Sequence, residues 1–273
     1  MRLTIEHRTR YTYAPPALNL HLRLKLFAPE TASQSVKSWE VSVDGCPVAP
    51  LLTDAFGDAE ALVALRRASE AVEIVAQGTV ETADTAGVIG RLGTARPDVA
   101  LRVTPLTRPD AAIEAMAREA AAAEGPLARM HRLSELVAEA LDYRAGATDP
   151  ATTAAQALAI GAGVCQDFAH VLIAAARAMG LPARYVVGYL HDPEAPVSET
   201  HAWAEAHVAG LGWVGFDPVH QVCPAEAYVR LASGFDAADA APIRGTLAAG
   251  HEEEMEVAVR VSTGQMQQQQ QQG

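Results

Sequence analysis

Cys165, His201 and Asp217 are residues whose types can together break an amide bond. A cysteine attacks acyl carbons as its thiolate, so it needs a base that takes and returns a proton, and a further group that orients the base. A histidine and a carboxylate fill these two roles. We therefore predict Cys165 as nucleophile, His201 as base and acid, and Asp217 as the orienting group.

Cys165 lies where the sequence predicts the first turn of a helix. Glycine and alanine occupy positions 161–163, and apolar residues recur after Cys165 at helical spacing until Gly180 and Pro182 end the pattern. The first-turn N–H groups and the positive dipole end of a helix stabilise a thiolate, and the N–H of Cys165 can donate to an oxyanion. By position alone, a buried structural cysteine fits equally well.

The turn between two predicted strands decides whether His201 can reach Asp217. His201 opens one strand and Asp217 closes the next, across a turn at residues 209–211. A three-residue loop pairs Val208 with Gly212 and puts the two side chains diagonally on one face. A four-residue loop would point them apart unless a bulge intervenes. We predict the three-residue register or a bulge.

The other histidines and cysteines are weaker candidates. His170 lies one and a half turns beyond Cys165, too far round the helix to take its proton, and is predicted to be a core or supporting residue. His220 and Cys223 have the spacing of two metal ligands, but no second ligand pair follows them, so we predict no metal site. Cys46 and Cys223 are predicted to be structural. The remaining surface or loop candidates are His191, His207 and His220.

Around these residues the chain divides into a β part and an α+β part. Residues 3–82 alternate in period two between turn signals, and from Asp110 helical patterns precede strand-like runs. Helices are predicted to start near Asp110, Leu127, Ala154 and Cys165, and strands to cover residues 183–190, 201–208, 213–216 and 255–261. We predict an N-terminal β domain at residues 1–83, a linker at 84–109, a catalytic domain at 110–262 and a disordered glutamine-rich tail at 263–273.

Composition excludes some partners. The chain has 49% hydrophobic residues and a formal net charge of -12, which opposes binding to a phosphate backbone, so nucleic acid is not expected as a partner. Every apolar run is broken by charge, glycine or proline before it could span a membrane. No leader pattern follows Met1, and the 3 cysteines are widely spaced, which together favour a reducing, cytoplasmic location.

Several sequence blocks resemble the bacterial transglutaminase-like core. They read GVCQDFAH at residues 163–170, GLPARYV at 180–186, HAW at 201–203 and GWVGFDP at 212–218. The segment RTRYTY at residues 8–13 resembles the β domain that precedes this core in many bacterial members. The resemblance therefore covers almost the whole chain.

The resemblance implies a fold and a reaction. The fold is α+β, with a papain-like transglutaminase core, in which helices pack on an antiparallel sheet, preceded by an antiparallel β-sandwich-like domain. The reaction is acyl transfer through a thioester, with Cys165, His201 and Asp217 in the roles given above, a peptide or protein as substrate, and no cofactor. Such proteins include transglutaminases, proteases and amidases, so the acyl acceptor stays open.

The chain departs from the family pattern in its oxyanion site and downstream. Residues 234–237 read GFDA where relatives often carry GRDY, although PIRG at 242–245 fits. The tryptophan that donates to the oxyanion in animal transglutaminases has no evident counterpart. Tyr143 or Gln166 is a candidate substitute, with Trp203 as a supporting residue. No calcium-loop pattern occurs, so calcium activation is not expected.

Two classes of function remain open from the sequence. The leading hypothesis is a cysteine hydrolase or acyltransferase that acts on a peptide bond or a glutamine side chain. The alternative is a non-catalytic peptide-binding module that keeps the fold, and a metallohydrolase is a distant third. The oligomeric state is not predicted.

Overall fold

The first part of the chain is built from antiparallel strands. The structure, a computed structural model, describes residues 1–194, 200–246 and 252–263. Along the long strands of this part, buried and exposed residues alternate, which is the pattern of a sheet with one face against a core. In chain order the strands are β1 (Arg2–Ala17), β2 (Leu20–Phe27), β3 (Gln34–Val43), β4 (Cys46–Val48), β5 (Leu52–Thr53), β6 (Ala59–Leu65) and β7 (Ser69–Thr82).

The second part contains helices followed by strands, as the sequence predicts. A 3₁₀ helix (Pro97–Leu101) precedes the first α-helix, whose N-cap is Asp110. In chain order the elements are β8 (Val88–Gly90), α1 (Ala111–Ala120), α2 (Gly125–Ala140), β9 (Asp142–Tyr143), α3 (Ala154–Ile160), β10 (Ala162–Gly163), α4 (Cys165–Ala178), β11 (Ala183–Leu190), β12 (Thr200–Val208), β13 (Gly212–Phe216), β14 (Tyr228–Gly234), α5 (Ala237–Ala240), β15 (Ile243–Thr246) and β16 (Glu252–Thr263).

Two antiparallel sheets form the β-sandwich-like unit of the described residues. One has the order β16-β1-β7-β3-β4 and the other the order β15-β2-β6-β5. Apolar residues of both sheets, among them Leu3 and Ile5 of β1 and Leu22 and Leu24 of β2, belong to one buried core. The predicted antiparallel β domain is therefore confirmed as a β-rich N-terminal region.

The C-terminal strands correct one sequence prediction. The run at residues 255–261 was predicted to be the last strand of the α+β domain, but β16 pairs with β1 along twelve residue pairs, from Leu3 with Thr263 to Ala14 with Glu252. β15 likewise pairs with β2. A strand's own pattern indicates that it pairs but not with which edge, and that choice is made by tertiary packing. Of the predicted tail, only Thr263 lies within the described residues.

The predicted linker also carries structure. β8 lies inside residues 84–109 and pairs with β13. It is the edge strand of the sheet of the second part, whose order is β14-β11-β12-β13-β8. The linker prediction missed β8 because three residues are too short to show a period.

α4 lies at the centre of the second part. Every residue from Asp167 to Arg177 is buried, since α1, α2 and α3 pack on one side of the helix and the strands β11 and β12 on the other. A helix that is covered all round has an apolar sequence on every face, as this one has apart from a few polar side chains with partners. Because α4 begins at Cys165, the best-buried helix of the protein fixes the position of that residue.

Buried ion pairs join the two parts. Arg230 of β14 contacts Asp58 at 2.7 Å and Glu205 of β12 at 3.0 Å, and Arg184 of β11 contacts Glu205 at 2.6 Å. All four side chains are nearly inaccessible to solvent. Removing one partner of such a buried pair leaves an uncompensated charge and costs about 3–5 kcal/mol. The network therefore holds the sheet that contains β11, β12 and β14 against the loop that carries Asp58.

Candidate active site

Cys165 is held in place by a cap at the start of α4. Asp167, in the first turn, accepts the N–H of Val164 at 2.8 Å and the hydroxyl of Thr148 at 2.6 Å. Gly163 makes this possible, because a Cβ there would lie 2.5 Å from an oxygen of Asp167. The cap fixes the backbone just before Cys165, whose side chain is half-buried and whose thiol is free. Of the first-turn N–H groups, that of Asp167 bonds the Val164 carbonyl at 2.8 Å, whereas those of Cys165 and Gln166 precede the first intrahelical bond and can face an anion.

The β12–β13 hairpin has the three-residue register. Val208 pairs with Gly212 and Ala204 with Phe216. As predicted for that register, His201 and Asp217 lie on one face, with His201 Nε2 2.7 Å from Asp217 Oδ2. The geometric condition set by the sequence is therefore confirmed.

His201 interacts with both the carboxylate and the thiol. Its Nε2 is bonded to Asp217 Oδ2, and the Cys165 side chain lies near enough to the ring to raise the pKa of His201. Burial of His201 by itself lowers its pKa, but the hydrogen bonds and charges of Asp217 and Cys165 outweigh burial and raise the pKa to about 9. At neutral pH the imidazolium is thus the favoured form of His201, which stabilises a thiolate beside it.

Asp217 is a fully buried carboxylate that collects hydrogen bonds. Its Oδ2 accepts from the His220 ring at 2.8 Å and from the Tyr228 hydroxyl at 2.7 Å, as well as from His201. Its Oδ1 accepts the N–H of Val219 at 2.9 Å. Burial by itself raises the pKa of Asp217, but the donors, His201 first, hold that pKa well below its ordinary range. Asp217 therefore stays ionised and fixed in orientation.

Two residues at this carboxylate were missed in the sequence. His220 was predicted to be a surface or loop residue, and although its side chain is 45% exposed, its Nδ1 binds Asp217. The signal for it was the spacing of three residues after Asp217 within a turn. Tyr228 had no local signal, because it reaches Asp217 from β14, a strand that the sequence pattern did not reveal.

The side chains of His201, Asp217 and His220 could also hold a metal ion. One ligand atom from each lies within 4.8 Å of the others. One nitrogen of each histidine, Nε2 of His201 and Nδ1 of His220, is already hydrogen-bonded to Asp217 Oδ2. Hydrogen bonding accounts for the arrangement without an ion.

The candidates for an oxyanion donor lie around the start of α4. Tyr143 is 57% exposed, and its ring centroid is 6.5 Å from that of Phe168 in α4. Gln166 directs its amide towards the carbonyl of Pro150 at 3.4 Å. Trp203 is buried, its ring centroid 6.2 Å from that of His201, and its Nε1 has no partner in the described part of the chain.

His170 is a core histidine, as predicted. It is fully buried, and its Nε2 accepts the N–H of Ala237 at 3.0 Å. Burial lowers its pKa to about 4, so it is neutral at physiological pH. Cys46 is exposed, whereas Cys223 is half-buried and burial raises its pKa.

Comparison with known proteins agrees with this geometry. A model of the transglutaminase-like superfamily matches residues 114–218, and a model of the bacterial transglutaminase-like N-terminal region matches residues 3–81. The chain belongs to the transglutaminase-like superfamily. The residues matched by the core model include Cys165, His201 and Asp217, and Tyr228 lies beyond the end of this match.

Similar proteins match this chain over lengths that range from almost the whole chain to a short segment. An uncharacterized protein of Mycobacterium leprae is 27% identical over 276 residues, covering 96% of this chain and 98% of the relative. A protein-glutamine gamma-glutamyltransferase of Pseudomonas aeruginosa is 34% identical over 70 residues, 23% of this chain and 10% of that protein. The crystal structure of a candidate cysteine protease from Cytophaga hutchinsonii, 23% identical, covers 96% of this chain and 90% of its own with a TM-score of 0.74. The last comparison establishes the shared fold.

Proposed function

We propose that this protein is a cysteine-dependent enzyme that transfers or hydrolyses the acyl group of an amide, either a peptide bond or a glutamine side chain. The observation that carries the proposal is the His201 ring, which is hydrogen-bonded to Asp217 and lies near enough to Cys165 for that side chain to raise the His201 pKa. The names of the Cytophaga and Pseudomonas relatives, a candidate cysteine protease and a glutamyltransferase, support the same class of chemistry.

The reaction proceeds in two halves. The Cys165 thiolate attacks the amide carbon, an S–C bond forms, and His201 gives its proton to the departing amine as the C–N bond breaks. Water or a primary amine then attacks the thioester, His201 takes the proton of the attacking group, and the C–S bond breaks to restore the thiolate. The same residues serve a protease and a transglutaminase, and the acceptor depends on whether water or an amine reaches the thioester.

The oxyanion formed in each half needs donors. The N–H of Cys165 at the start of α4 is one, since it lies in the first turn. Tyr143 and Gln166 are the candidates for a second, with Trp203 in a supporting role. Replacing Tyr143 by Phe removes only its hydroxyl, so unchanged turnover in that variant would dismiss Tyr143.

Substrate profiling tests the proposed reaction. A peptide library is incubated with the protein, with and without an added primary amine, and products are identified by mass spectrometry. Cleavage that needs no amine indicates a protease, and amine incorporation at glutamine indicates a transglutaminase. Products that persist in Cys165→Ala would refute the proposal, and stable peptide binding without any product would favour the peptide-binding module.

We also propose that the protein acts in the cytoplasm on a peptide or protein substrate. The described residues contain no helix with the length and apolar character needed to cross a bilayer. The three cysteines are free thiols, as is usual in a reducing compartment. Cell fractionation with compartment markers tests this location.

A further inference from the structure

Tyr228 lies between two backbone positions that the N-terminal β-rich region holds. Gln34 binds both polar backbone groups of Arg230. Its Nε2 donates to the Arg230 carbonyl at 3.0 Å, and its Oε1 accepts the Arg230 N–H at 2.8 Å. The hydroxyl of Thr82 donates to the carbonyl of Glu226. Glu226 and Arg230 are each two residues from Tyr228, so the backbone is anchored before and after it.

Gln34 and Thr82 are a cross-strand pair. They face each other where β3 and β7 pair, and they are 3% and 5% exposed. Buried polar side chains are costly unless their hydrogen bonds are made. Within their own part of the chain, Gln34 donates to the carbonyl of Pro29 and Thr82 to that of Met1. Their remaining bonds reach the segment that carries Tyr228, across the boundary between the two parts of the chain.

The other contacts of Tyr228 leave it little freedom. Its ring packs edge-on against Trp203, with centroids 5.5 Å apart. β14 also lies close on β11, because a Cβ at Gly188 would be 2.1 Å from the carbonyl oxygen of Val229. With the backbone anchored and the ring confined, the hydroxyl points at Asp217 Oδ2, 2.7 Å away.

We propose that the Gln34–Thr82 pair positions Tyr228, and through it the Asp217 carboxylate, which makes the N-terminal region part of the catalytic machinery. The catalytic meaning of this role rests on the function proposed above. Gln34 and Thr82 are positioning residues: they act through Tyr228 and touch neither Cys165 nor His201 in the described contacts.

The Tyr228 hydroxyl has a measurable effect on His201. Both groups bind the same oxygen of Asp217, so each reduces the negative charge available to the other. Losing the Tyr228 bond leaves more charge for His201 and therefore raises its pKa. Among the described residues, the titratable groups that face His201 are Cys165 from α4, Asp217 and His220 after β13, and Tyr228 from β14.

The test is the pKa of His201 in the resting full-length protein, followed by NMR of its labelled imidazole. Tyr228→Phe, Gln34→Ala and the double variant form a cycle. Thr82→Val, which is nearly isosteric, serves as a second variant should Gln34→Ala fail to fold. The control is Tyr189→Phe, which removes a 2.9 Å hydrogen bond to His7 elsewhere on the same boundary.

The proposal predicts that Tyr228→Phe and Gln34→Ala each raise the His201 pKa by roughly half a unit or more, and that the double variant shows no further rise. Thr82→Val shifts it in the same direction, and Tyr189→Phe leaves it in place. The proposal would be overturned if the His201 pKa shifts of the two single variants added up in the double variant. It would also be overturned if His201 had the same pKa in Gln34→Ala and in Thr82→Val as in the Tyr189→Phe control. Because no substrate is used, failure of the proposed enzymatic function would appear separately, as an unreactive Cys165.

Discussion

His201 Nε2 lies 2.7 Å from Asp217 Oδ2, across a hairpin whose three-residue loop puts both side chains on one face. The bond keeps a negative charge beside the imidazolium, and the Cys165 side chain also raises the pKa of the same ring. This is the arrangement that the proposed nucleophile, base and orienting carboxylate require.

Asp217→Asn should reduce turnover by about 10³–10⁴-fold, since an amide keeps the shape but neither holds the imidazolium nor fixes its tautomer. The His201 pKa, about 9 in the parent protein, should fall as well, because burial then acts without the compensating charge. Steady-state kinetics and imidazole NMR measure the two effects. Asp142→Asn, at a side chain that is 81% exposed, is the control. Parent-like turnover in Asp217→Asn would remove Asp217 from the triad.

The raised His201 pKa predicts how stability depends on pH. A histidine whose pKa is higher in the folded protein than its ordinary 6.5 stabilises the fold fully below pH 6.5, and this contribution is lost as the pH rises to about 9. The free energy of unfolding should thus decline by up to about 3 kcal/mol over that interval. His201→Gln should lack this decline when unfolding is measured in urea, while His21→Gln, at an exposed position, should keep it.

His170 should act in the opposite direction. Its pKa of about 4 lies below the ordinary value, so protonation favours the unfolded chain, and stability present above pH 6.5 is lost as the pH falls towards 4. His170→Gln keeps an oxygen that can accept the Ala237 N–H but removes the titration. As the pH falls, the free energy of unfolding measured in urea should decrease less in this variant than in the parent protein, by on the order of 2–3 kcal/mol. If the free energy of unfolding decreased equally at low pH in both proteins, His170 would not be held neutral in the folded state.

Gly163→Ala tests the cap that fixes Cys165. The added Cβ would meet Asp167 atoms at 2.5 and 2.7 Å, so Asp167 must move away from Val164 and Thr148. We expect a loss of about 1–3 kcal/mol in stability and slower alkylation of Cys165. Gly245→Ala, where the nearest atom is 3.7 Å away, should change neither. Equal behaviour of the two variants would show that the cap does not constrain the thiol.

The triad geometry could be predicted because its determinants are local. Loop length sets the register between Val208 and Gly212, and glycine before an apolar helical pattern sets Cys165 at a first turn. Each of these signals lies within a few residues of the side chain that it positions.

The rest depends on contacts between distant segments. Tyr228 reaches Asp217 only because β14 pairs with β11, and β16 joins β1 although more than two hundred residues separate them. Periodicity indicates that a segment forms a strand and leaves its partner undefined. The sequence therefore predicted Cys165, His201 and Asp217 but neither Tyr228 nor the return of the chain to the first sheet.

The most direct measurement of the central claim is the rate at which iodoacetamide alkylates each cysteine at neutral pH, resolved by mass spectrometry. Cys46, exposed, and Cys223, whose pKa burial raises, are internal references. The account predicts that Cys165 reacts at least about tenfold faster than either, and that His201→Gln removes the difference. Alkylation of Cys165 no faster than that of Cys46 or Cys223 would contradict an activated thiolate at the start of α4.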